Sequence, residues 1–413
     1  MSETVLSINA GSSSIKFELF EVTPSDELQL ALRGQLEGVG FRPHLTARRG
    51  SNSLIDRFFT VQDVRDVGSA LLKLTEWLRE ELKGALPTVV GHRLASGGAR
   101  YSTPVLIDDD CLCYLRSLVP LMPLHLPSEL APVEWLRKRM PDLPQVAVFD
   151  TAFHRGHNEL MQRLPIPEWL HREGVLSYGY HGTSYEFIAG RLKEVDDSLA
   201  KGRVVVAHLG SGCSMCALVG GKSVEASWGF SGLDGLPMGT RPGRLDPGVI
   251  LYLLQIKRMT AEQIQDLLYH ECGLKGMSGI SNDVRELLAS EDPRARLALA
   301  SFGLRCARMV AELATVMGGI DGLIFTAGIG EHAAPVRSSI GSKLSWLGVA
   351  IDTEANDRHG PRISSSSSSV ACFVIPTREE FMIARHARAL VRRTAAPALS
   401  ATPQRQSMSS RRT

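Results

Sequence analysis

Val5-Leu-Ser-Ile-Asn-Ala-Gly-Ser-Ser-Ser-Ile-Lys-Phe17 is the most informative segment of the chain. An apolar run up to Asn9 predicts a strand, the glycine- and serine-rich stretch after it predicts a tight turn, and the alternating residues from Ile15 predict a returning strand. Amides and hydroxyls in such a turn bind phosphate oxygens, and Lys16 supplies a cation nearby. A hairpin of this composition is more often only a turn, so one copy alone says little about function.

A second copy of this hairpin follows near the middle of the chain. Val204 to Val219 again predicts a strand, a turn and a strand. Gly210 stands in the place of Gly11, and Ser211 stands in the place of Ser12. An internal repeat of this kind predicts a duplicated α/β domain. The cleft between the duplicates is then the expected ligand site.

Length and composition indicate a soluble globular protein of two or three domains. The chain has 413 residues, of which 44% are apolar and 22% are charged, and its net charge is +2. A charge this small does not attract the protein to nucleic acid or to a membrane surface. The sequence shows neither a signal peptide nor an apolar run of the roughly 18–20 residues that span a membrane. We therefore expect a cytoplasmic protein without a nucleic-acid or membrane partner.

Hydrophobic periodicity predicts the remaining elements. Further strands are expected at residues 28–38, 146–149, 323–326 and 370–375. Helices are expected at residues 61–83, 130–140, 184–193, 247–256, 260–270, 293–317 and 378–393. Val89 and Val90 are expected to lead into a loop rich in glycine and serine, and Ser364 to Ser369 is expected to be a loop.

The segment Gly328-Ile-Gly330 is expected to break a strand, after which Glu331 opens a helix. The free amides at a helix N-terminus favour a nucleotide phosphate or sugar. An ordinary turn between a strand and a helix is an equally good interpretation of this segment by itself. The chain has no G-x-x-x-x-G-K-[ST] segment, which excludes a P-loop nucleotide site.

Eleven sequence segments occur in an order that is typical of one enzyme family. They are residues 9–17, 91–93, 123–125, 148–154, 178–184, 208–212, 238–243, 246–248, 278–286, 326–331 and 376–380. Together they resemble the acetate kinases, which belong to the acetate and sugar kinase, heat-shock chaperone and actin superfamily. Asp150-Thr-Ala-Phe-His154 and His181-Gly-Thr-Ser184 are the most specific, because they resemble segments of kinases that form acyl phosphates.

The resemblance implies an α/β fold with two duplicated ribonuclease-H-like domains of the actin-like ATPase kind and an interdomain cleft. Residues 1–150 plus 380–394 would form the N-terminal domain, and residues 151–379 the C-terminal nucleotide-binding domain. Residues 395–413 are rich in proline, serine and arginine, and this composition predicts a disordered tail. The family also implies a homodimer.

The activity that the resemblance implies is the reversible transfer of a phosphoryl group from ATP to acetate, directly and in line. Asp150, His181 and Arg241 would be catalytic, and Arg93 would bind the substrate. Arginine forks bind carboxylate and phosphate bidentately, and a histidine can donate to the phosphoryl group in flight. Without the resemblance, a lone arginine is usually a solvated surface group and a lone histidine a buried hydrogen-bonded one.

The metal and nucleotide sites follow from the same resemblance. Asn9 and Glu379 would hold Mg²⁺, or alternatively Mn²⁺, because such ions prefer hard oxygen ligands. A glutamate pair at a helix start is otherwise commonly only a favourable interaction with the helix dipole. The implied nucleotide-binding residues are Lys16, His208, Leu209, Gly210, Ser211, Gly212, Asp283, Val284, Arg285, Gly328, Ile329, Gly330, Glu331 and His332.

The chain departs from the family pattern at five positions. Ser96 and Tyr185 replace histidines, Leu126 and Ser211 replace asparagines, and Arg244 replaces an aspartate. One alternative is therefore a catalytically weakened nucleotide-binding relative of these kinases. Retention of the implied clamp, catalytic and metal residues argues against it.

Two further positions bear on the acyl group of the substrate. Ala95 and Gly232 stand where the family has bulkier apolar residues. A wider pocket would admit propionate or butyrate, which leaves a short-chain carboxylate kinase as the second alternative.

Overall fold

The computed structural model describes residues 3–11, 14–123 and 125–395. The strands are β1 (Thr4–Ala10), β2 (Ser14–Val22), β3 (Leu28–Glu37), β4 (His44–Arg49), β5 (Asn52–Phe58), β6 (Val89–Leu94), β7 (Val105–Leu106), β8 (Gln145–Phe149), β9 (Arg203–Leu209), β10 (Cys213–Val219), β11 (Lys222–Ala226), β12 (Gly322–Thr326) and β13 (Ala371–Val374).

Helices fill most of the chain between the strands. They are α1 (Val67–Glu81), α2 (Asp109–Ser117), α3 (Leu126–Arg139), α4 (Glu159–Gln162), α5 (Glu168–Arg172), α6 (Gly182–Val195), α7 (Asp197–Lys201), α8 (Pro247–Gln255), α9 (Ala261–Asp266), α10 (Gly273–Ser278), α11 (Val284–Ala289), α12 (Pro293–Met317), α13 (Ala327–His332), α14 (Ala334–Ser342), α15 (Thr353–Asp357) and α16 (Glu379–Ala395). Within residues 3–11, 14–123 and 125–395, no helix has the length and apolarity needed to cross a membrane.

The two sheets repeat one strand arrangement. The first has the order β5-β4-β3-β2-β1-β6-β8-β7, and the second has the order β11-β10-β9-β12-β13. In each, an antiparallel hairpin, β1–β2 or β9–β10, is followed by two strands parallel to its first member. The duplicated α/β fold predicted from the repeated hairpin is therefore confirmed. Ser12 and Ser13 of the first turn lie outside the described residues.

Each sheet is covered by helices on both faces. The first packs against α1 and α3 on one face and against α16 on the other, where Ile383, Ala384 and Ala387 are fully buried. The second packs against α6 and α12. Because α16 covers the first sheet, its packing agrees with the predicted N-terminal domain of residues 1–150 plus 380–394, whose boundaries stay a prediction. Residues 396–413 of the predicted tail lie outside the described residues.

Three predicted helices differ from the structure at their ends. Helix α1 begins at Val67 rather than at residue 61, because Asp66 caps it: the Asp66 carboxylate accepts from the Ser69 amide at 2.8 Å, and the Ser69 hydroxyl bonds back. Helix α3 begins at Leu126 and continues through Pro132. The helix predicted at 260–270 ends as α9 at Asp266, and a π-helical turn follows it.

Two local predictions at the cleft were wrong in their bounds. The loop rich in glycine and serine does not begin after Val90 but at Ala95, because β6, which lies between β1 and β8, continues to Leu94. The helix after Thr326 was predicted to begin at Glu331, after a turn at Gly328 to Gly330. It begins at Ala327 instead, so these glycines lie within α13. Strands β4 and β5 were not predicted at all. The serine run from Ser364 to Ser369 is a loop, as predicted.

Candidate active site

A cleft of about 570 Å³ opens where the carboxyl ends of the central strands of both sheets meet. The predicted site residues that line it are Asn9, Lys16, Arg93, His181, His208, Gly210, Ser211, Gly212, Arg241, Gly328, Glu331 and Glu379. Ligands in α/β folds bind at this edge, because the loops there leave the strands together. The duplication therefore brings residues from both halves of the chain into one site.

Arg93 reaches the cleft from the end of β6 and is held by two carboxylates. Its Nε and Nη2 donate to Asp150 Oδ2 at 3.0 and 2.5 Å, and its Nη1 donates to Glu129 Oε1 at 3.2 Å. Burial disfavours the charge, but Asp150 and Glu129 outweigh it and raise the pKa of Arg93. The guanidinium is therefore a fixed cation that still has N–H groups for a ligand.

Asp150 lies behind Arg93 and does not line the cleft. It follows β8 and is fully buried, and its Oδ1 accepts from the Thr183 hydroxyl at 3.0 Å. Its carbonyl oxygen accepts from the Gly182 amide at 3.1 Å. The side chain thus joins Arg93 of the first sheet to the start of α6.

His181 is the residue before α6 and has a left-handed backbone with φ of 55°. Its ring stacks on His208 with centroids 4.1 Å apart and lies 4.6 Å from the Trp228 ring. Burial, followed by the neighbouring His208, Arg93 and Arg241, lowers the pKa of His181 well below its usual value. The imidazole is therefore neutral at neutral pH, and one of its nitrogens is a donor.

Arg241 is a buried cation that pairs with no carboxylate among the residues that the structure describes. Its Nη1 donates to the Gly232 carbonyl at 2.8 Å, and its guanidinium lies 4.9 Å from the centre of the Trp228 ring. Burial lowers the pKa of Arg241 to about 10, which leaves it charged at neutral pH. A Cβ at Gly212 would lie 2.8 Å from Arg241 Nη2, so a side chain there would displace the guanidinium. An anion in the cleft would complete this arrangement.

Asn9 and Glu379 meet in the same cleft. Asn9 Nδ2 lies 3.5 Å from Glu379 Oε2 and 3.2 Å from Glu380 Oε1. Burial raises the pKa of Glu379 to about 7, and a bound cation would favour its ionised form. The described part of the chain has no cluster of three histidine, cysteine or acidic residues that could hold a metal ion. One or two carboxylates with phosphate and water suit Mg²⁺, so these residues fit that ion.

The predicted nucleotide-binding residues that line the cleft come from four places: Lys16 from β2, His208 from the end of β9, Gly210 to Gly212 from the β9–β10 turn, and Gly328 and Glu331 from α13. Glu331 faces inward, where its Oε1 accepts from the Ala327 amide at 2.9 Å and from the Thr377 amide at 3.4 Å. Predicted residues outside the lining are Leu209, Asp283, Val284, Arg285, Ile329, Gly330 and His332.

The segment with Asp283 starts α11. Asp283 caps that helix and pairs with Arg285 at 2.5 Å, while Val284 is buried in the core. The segment is nevertheless close to the β9–β10 turn. Gly239 donates its amide to the Ser211 carbonyl at 3.3 Å and also packs against Asn282. Residues 283–285 are therefore one layer of residues away from the cleft.

Comparison with known proteins decides the family. The model of the acetokinase family matches residues 4–385. The chain belongs to the acetokinase family. It is 49% identical to the acetate kinase of Nitrobacter hamburgensis over 94% of this chain and 96% of that one. It is 48% identical to that of Rhizobium meliloti over 94% and 98% of the two chains.

Solved structures of a propionate kinase and an acetate kinase have the same fold. A propionate kinase from Francisella tularensis superposes with a TM-score of 0.86 at 35% identity, over 94% of this chain and 99% of that one. The acetate kinase of Porphyromonas gingivalis gives 0.80 at 32% identity, over 94% and 100%. The predicted fold class and the predicted phosphotransferase with a carboxyl group as acceptor are confirmed.

The structure shows what surrounds the five residues that the resemblance marks as departures from the family pattern. Ser96 accepts from the Gly98 amide, and Leu126 is buried at the start of α3. Arg244 pairs with Glu312 through two bonds of 3.0 Å, away from the cleft. Ser211 lines the cleft. Tyr185 is fully buried and bonds Ser214 behind His181.

Sequence reasoning gave no role to several residues that build this site. His125 lines the cleft, and Glu129 accepts a hydrogen bond from Arg93. His125 lies in one of the segments that resemble the family, whereas no sequence motif points to Glu129. Trp228 stacks under Arg241, and Ser214 bonds His181. These contacts join residues that are far apart in sequence, so no local pattern reveals them.

Proposed function

We propose that this chain is an acetate kinase, which reversibly phosphorylates acetate with ATP by direct in-line transfer. The observation that carries the proposal is the convergence of Arg93, His181 and Arg241 on one cleft in a member of the acetokinase family. Acetate is already ionised at neutral pH, so no strong general base is needed. The protein has to clamp two anions, neutralise the developing charge and exclude water.

The two arginines form the clamp. Arg93 binds the substrate carboxylate from a position fixed by Asp150 and Glu129, so Asp150 acts by orienting Arg93. Arg241, which has no described carboxylate partner, takes the transferring phosphoryl group. His181 donates its N–H to the same group as charge moves across it. Removal of one such donor costs about 10²–10³-fold in rate.

The nucleotide lies across the second sheet. The turn from Gly210 to Gly212, with His208 and Lys16, faces its phosphates. The adenosine lies between two segments, Asp283 to Arg285 and Gly328 to His332. Both segments have to approach each other when the nucleotide binds. Asn9 and Glu379 hold Mg²⁺, or Mn²⁺ in its place. When bound, this ion neutralises charge on the phosphates.

A hydroxamate assay with ATP, Mg²⁺ and acetate tests the function. The wild type should form acetyl hydroxamate, and Arg93→Ala and Arg241→Ala should each lose at least about 10²-fold in turnover. Arg244→Ala is the matched control, because it removes an arginine that pairs with Glu312 outside the cleft. Failure to form a hydroxamate with any carboxylate would favour the weakened nucleotide-binding relative.

A short-chain carboxylate kinase is the second candidate, and Ala95 and Gly232 favour it. Ala95 is buried beside the Glu129 carboxylate, which accepts from its amide at 2.8 Å. A Cβ at Gly232 would lie 2.9 Å from Arg241 Nη1 and 3.6 Å from His125 Cε1, so glycine leaves room between these groups. The solved relative from Francisella tularensis is a propionate kinase.

Comparing kcat/KM for acetate, propionate and butyrate distinguishes the two candidates. One methylene in an apolar pocket is worth about 1–3 kcal/mol, so a pocket wide enough for propionate should discriminate only modestly between acetate and propionate. Ala95→Val should shift the preference towards acetate. A strong preference for acetate in the wild type would eliminate the second candidate.

We also propose a cytoplasmic homodimer. Helix α8 has no buried residue, and its apolar side chains Val249, Leu251, Tyr252 and Leu254 are all exposed. A second copy of this chain would cover such a face. The cytoplasm suits the seven cysteines, all of which are free.

A further inference from the structure

Two buried hydroxyl groups lie in a chain behind His181. Ser214 Oγ, on β10, is 2.7 Å from His181 Nδ1. The Tyr185 hydroxyl bonds the other side of the same Ser214 oxygen. Tyr185 is one turn along α6 from His181, and its amide donates to the His181 carbonyl at 3.1 Å. Both residues are at most 1% exposed. None of these atoms faces the cleft, so the chain of hydroxyls acts only through His181.

The directions of these two bonds follow from counting protons. Among the described residues, the Tyr185 hydroxyl has Ser214 Oγ as its single hydrogen-bond partner. If Ser214 donated to Tyr185, the buried phenol proton would have no acceptor, which is a costly arrangement. Tyr185 therefore donates to Ser214. The one proton of Ser214 is then left to donate to His181 Nδ1.

A neutral imidazole carries one proton, and the Ser214 donor excludes it from Nδ1. The proton consequently resides on Nε2. That nitrogen has no partner among the described residues, and His181 lines the cleft. A neutral donor there also avoids a third cation beside Arg93 and Arg241.

We propose that Tyr185 is a positioning residue which, through Ser214, fixes His181 in the tautomer with Nε2–H directed at the transferring phosphoryl group. The proposal rests on the function proposed above. A tyrosine cannot become positively charged, so the donor at the end of the chain persists as the pH falls.

The tautomer can be measured directly in the resting protein with ¹⁵N-histidine labelling. Long-range ¹H–¹⁵N spectra should show a protonated Nε2 and an unprotonated, hydrogen-bond-accepting Nδ1 for His181, whose signals are identified by their loss in His181→Gln. In Tyr185→Phe the Ser214 oxygen is free to accept, so protonation of Nδ1 should increase. An Nδ1–H form in the wild type, or unchanged spectra in Tyr185→Phe, would overturn the proposal.

Kinetics provide the second readout. Tyr185→Phe should lower kcat on the order of tenfold with little change in either KM, which is less than the loss of the donor itself would cost. Ser214→Ala should have a similar effect, and the double variant should cost no more than Ser214→Ala alone, because the two act as one unit. Tyr178→Phe is the control: it removes a buried hydroxyl that bonds the Gly174 carbonyl outside the cleft.

The outcomes separate this proposal from the proposed function. If the wild type makes no acyl hydroxamate, the function fails, while the spectra still report the tautomer. If turnover is normal but Tyr185→Phe matches Tyr178→Phe in both spectra and kcat, the positioning role alone fails. Additive losses in the double variant would also contradict it.

Discussion

Arg241 packs on the Trp228 ring and donates to the Gly232 carbonyl. Among the described residues it pairs with no carboxylate. Its remaining N–H groups are free to form a fork on an anion. A guanidinium matches carboxylate or phosphate bidentately, whereas an ammonium group acts as a point charge. The shape of the Arg241 side chain should therefore matter as much as its charge.

Arg241→Lys tests this distinction, because it keeps the charge and removes the fork. We expect kcat/KM to fall by about 10- to 100-fold, as the loss of a charge-assisted hydrogen bond implies. Steady-state hydroxamate kinetics measure the change. Arg244→Lys is the matched control and should remain close to wild type. Equal activity of Arg241→Lys and wild type would show that charge alone suffices.

At the level of elements, the start of α6 is fixed against β8. The Gly182 amide donates to the Asp150 carbonyl, and a Cβ at Gly182 would collide with that oxygen. The close approach places His181 and Thr183 beside the Arg93–Asp150 pair. Helix α6 therefore sets the distance between His181, the residue before it, and Arg93 near the end of β6.

Gly182→Ala should displace the start of α6. We expect a destabilisation of about 1–3 kcal/mol together with a loss of kcat, because His181 moves with the helix. Thermal unfolding and hydroxamate kinetics measure the two effects. Gly190→Ala lies in the same helix with open space around it, so it should be neutral or slightly stabilising. A Gly182→Ala protein as stable and active as Gly190→Ala would refute the requirement.

Elements with strong local signals were predicted well from sequence. Helix α12 has the predicted bounds, because proline starts it and Gly318, with φ of 70°, ends it. Strand β6 was misread after Val90, since Gly91, His92 and Arg93 look like a loop but extend a buried parallel strand to the cleft. Propensity could not find this strand, because its neighbours in the sheet stabilise it.

In the site, too, some residues could be predicted from the sequence and others could not. Arg93, His181 and Arg241 lie in segments that resemble the family, and the structure brings them together. Glu129 and Ser214 complete their surroundings through contacts between elements distant in sequence. Their roles follow from packing and hydrogen bonding, which no sequence motif records.

At the scale of the whole molecule, the exposed apolar face of α8 predicts a dimer. Leu251 is 53% exposed there, and Leu251→Glu should convert the dimer to a monomer by placing a charge in the interface. Light scattering after gel filtration measures the mass. Leu160→Glu is the control, because Leu160 is equally apolar and 76% exposed on α4. A monomeric wild type, or a dimeric Leu251→Glu, would contradict the α8 interface.

Buried histidines should make the fold sensitive to acid. Burial lowers the pKa of His154 to about 4, and its ring bonds the Tyr180 carbonyl and Ser223. The unfolded chain binds a proton near pH 6.5 and the native ring does not, so this stability is lost as pH falls from 6.5 to 4. The effect is at most about 1.4 kcal/mol per pH unit.

Melting temperatures of wild type and His154→Gln, measured at pH 7 and pH 5, test this sensitivity. The difference in melting temperature between wild type and His154→Gln should be smaller at pH 5 than at pH 7, because glutamine does not titrate. Tyr178→Phe is the control for the loss of a buried hydrogen bond and should keep a constant difference from wild type. A pH-independent difference for His154→Gln would show that the histidine does not titrate on unfolding.

Helix α16 covers one face of the first sheet, although more than 200 residues separate it from β8. During synthesis on the ribosome, the strands that begin the protein emerge first, and domains ordinarily fold as they emerge. Here Val5, Val89 and Val146 stay uncovered until residues 379–395 have been translated. The first sheet is therefore synthesised first, but its packing is completed only when α16 has been made. Both halves of the enzyme consequently finish folding at nearly the same time.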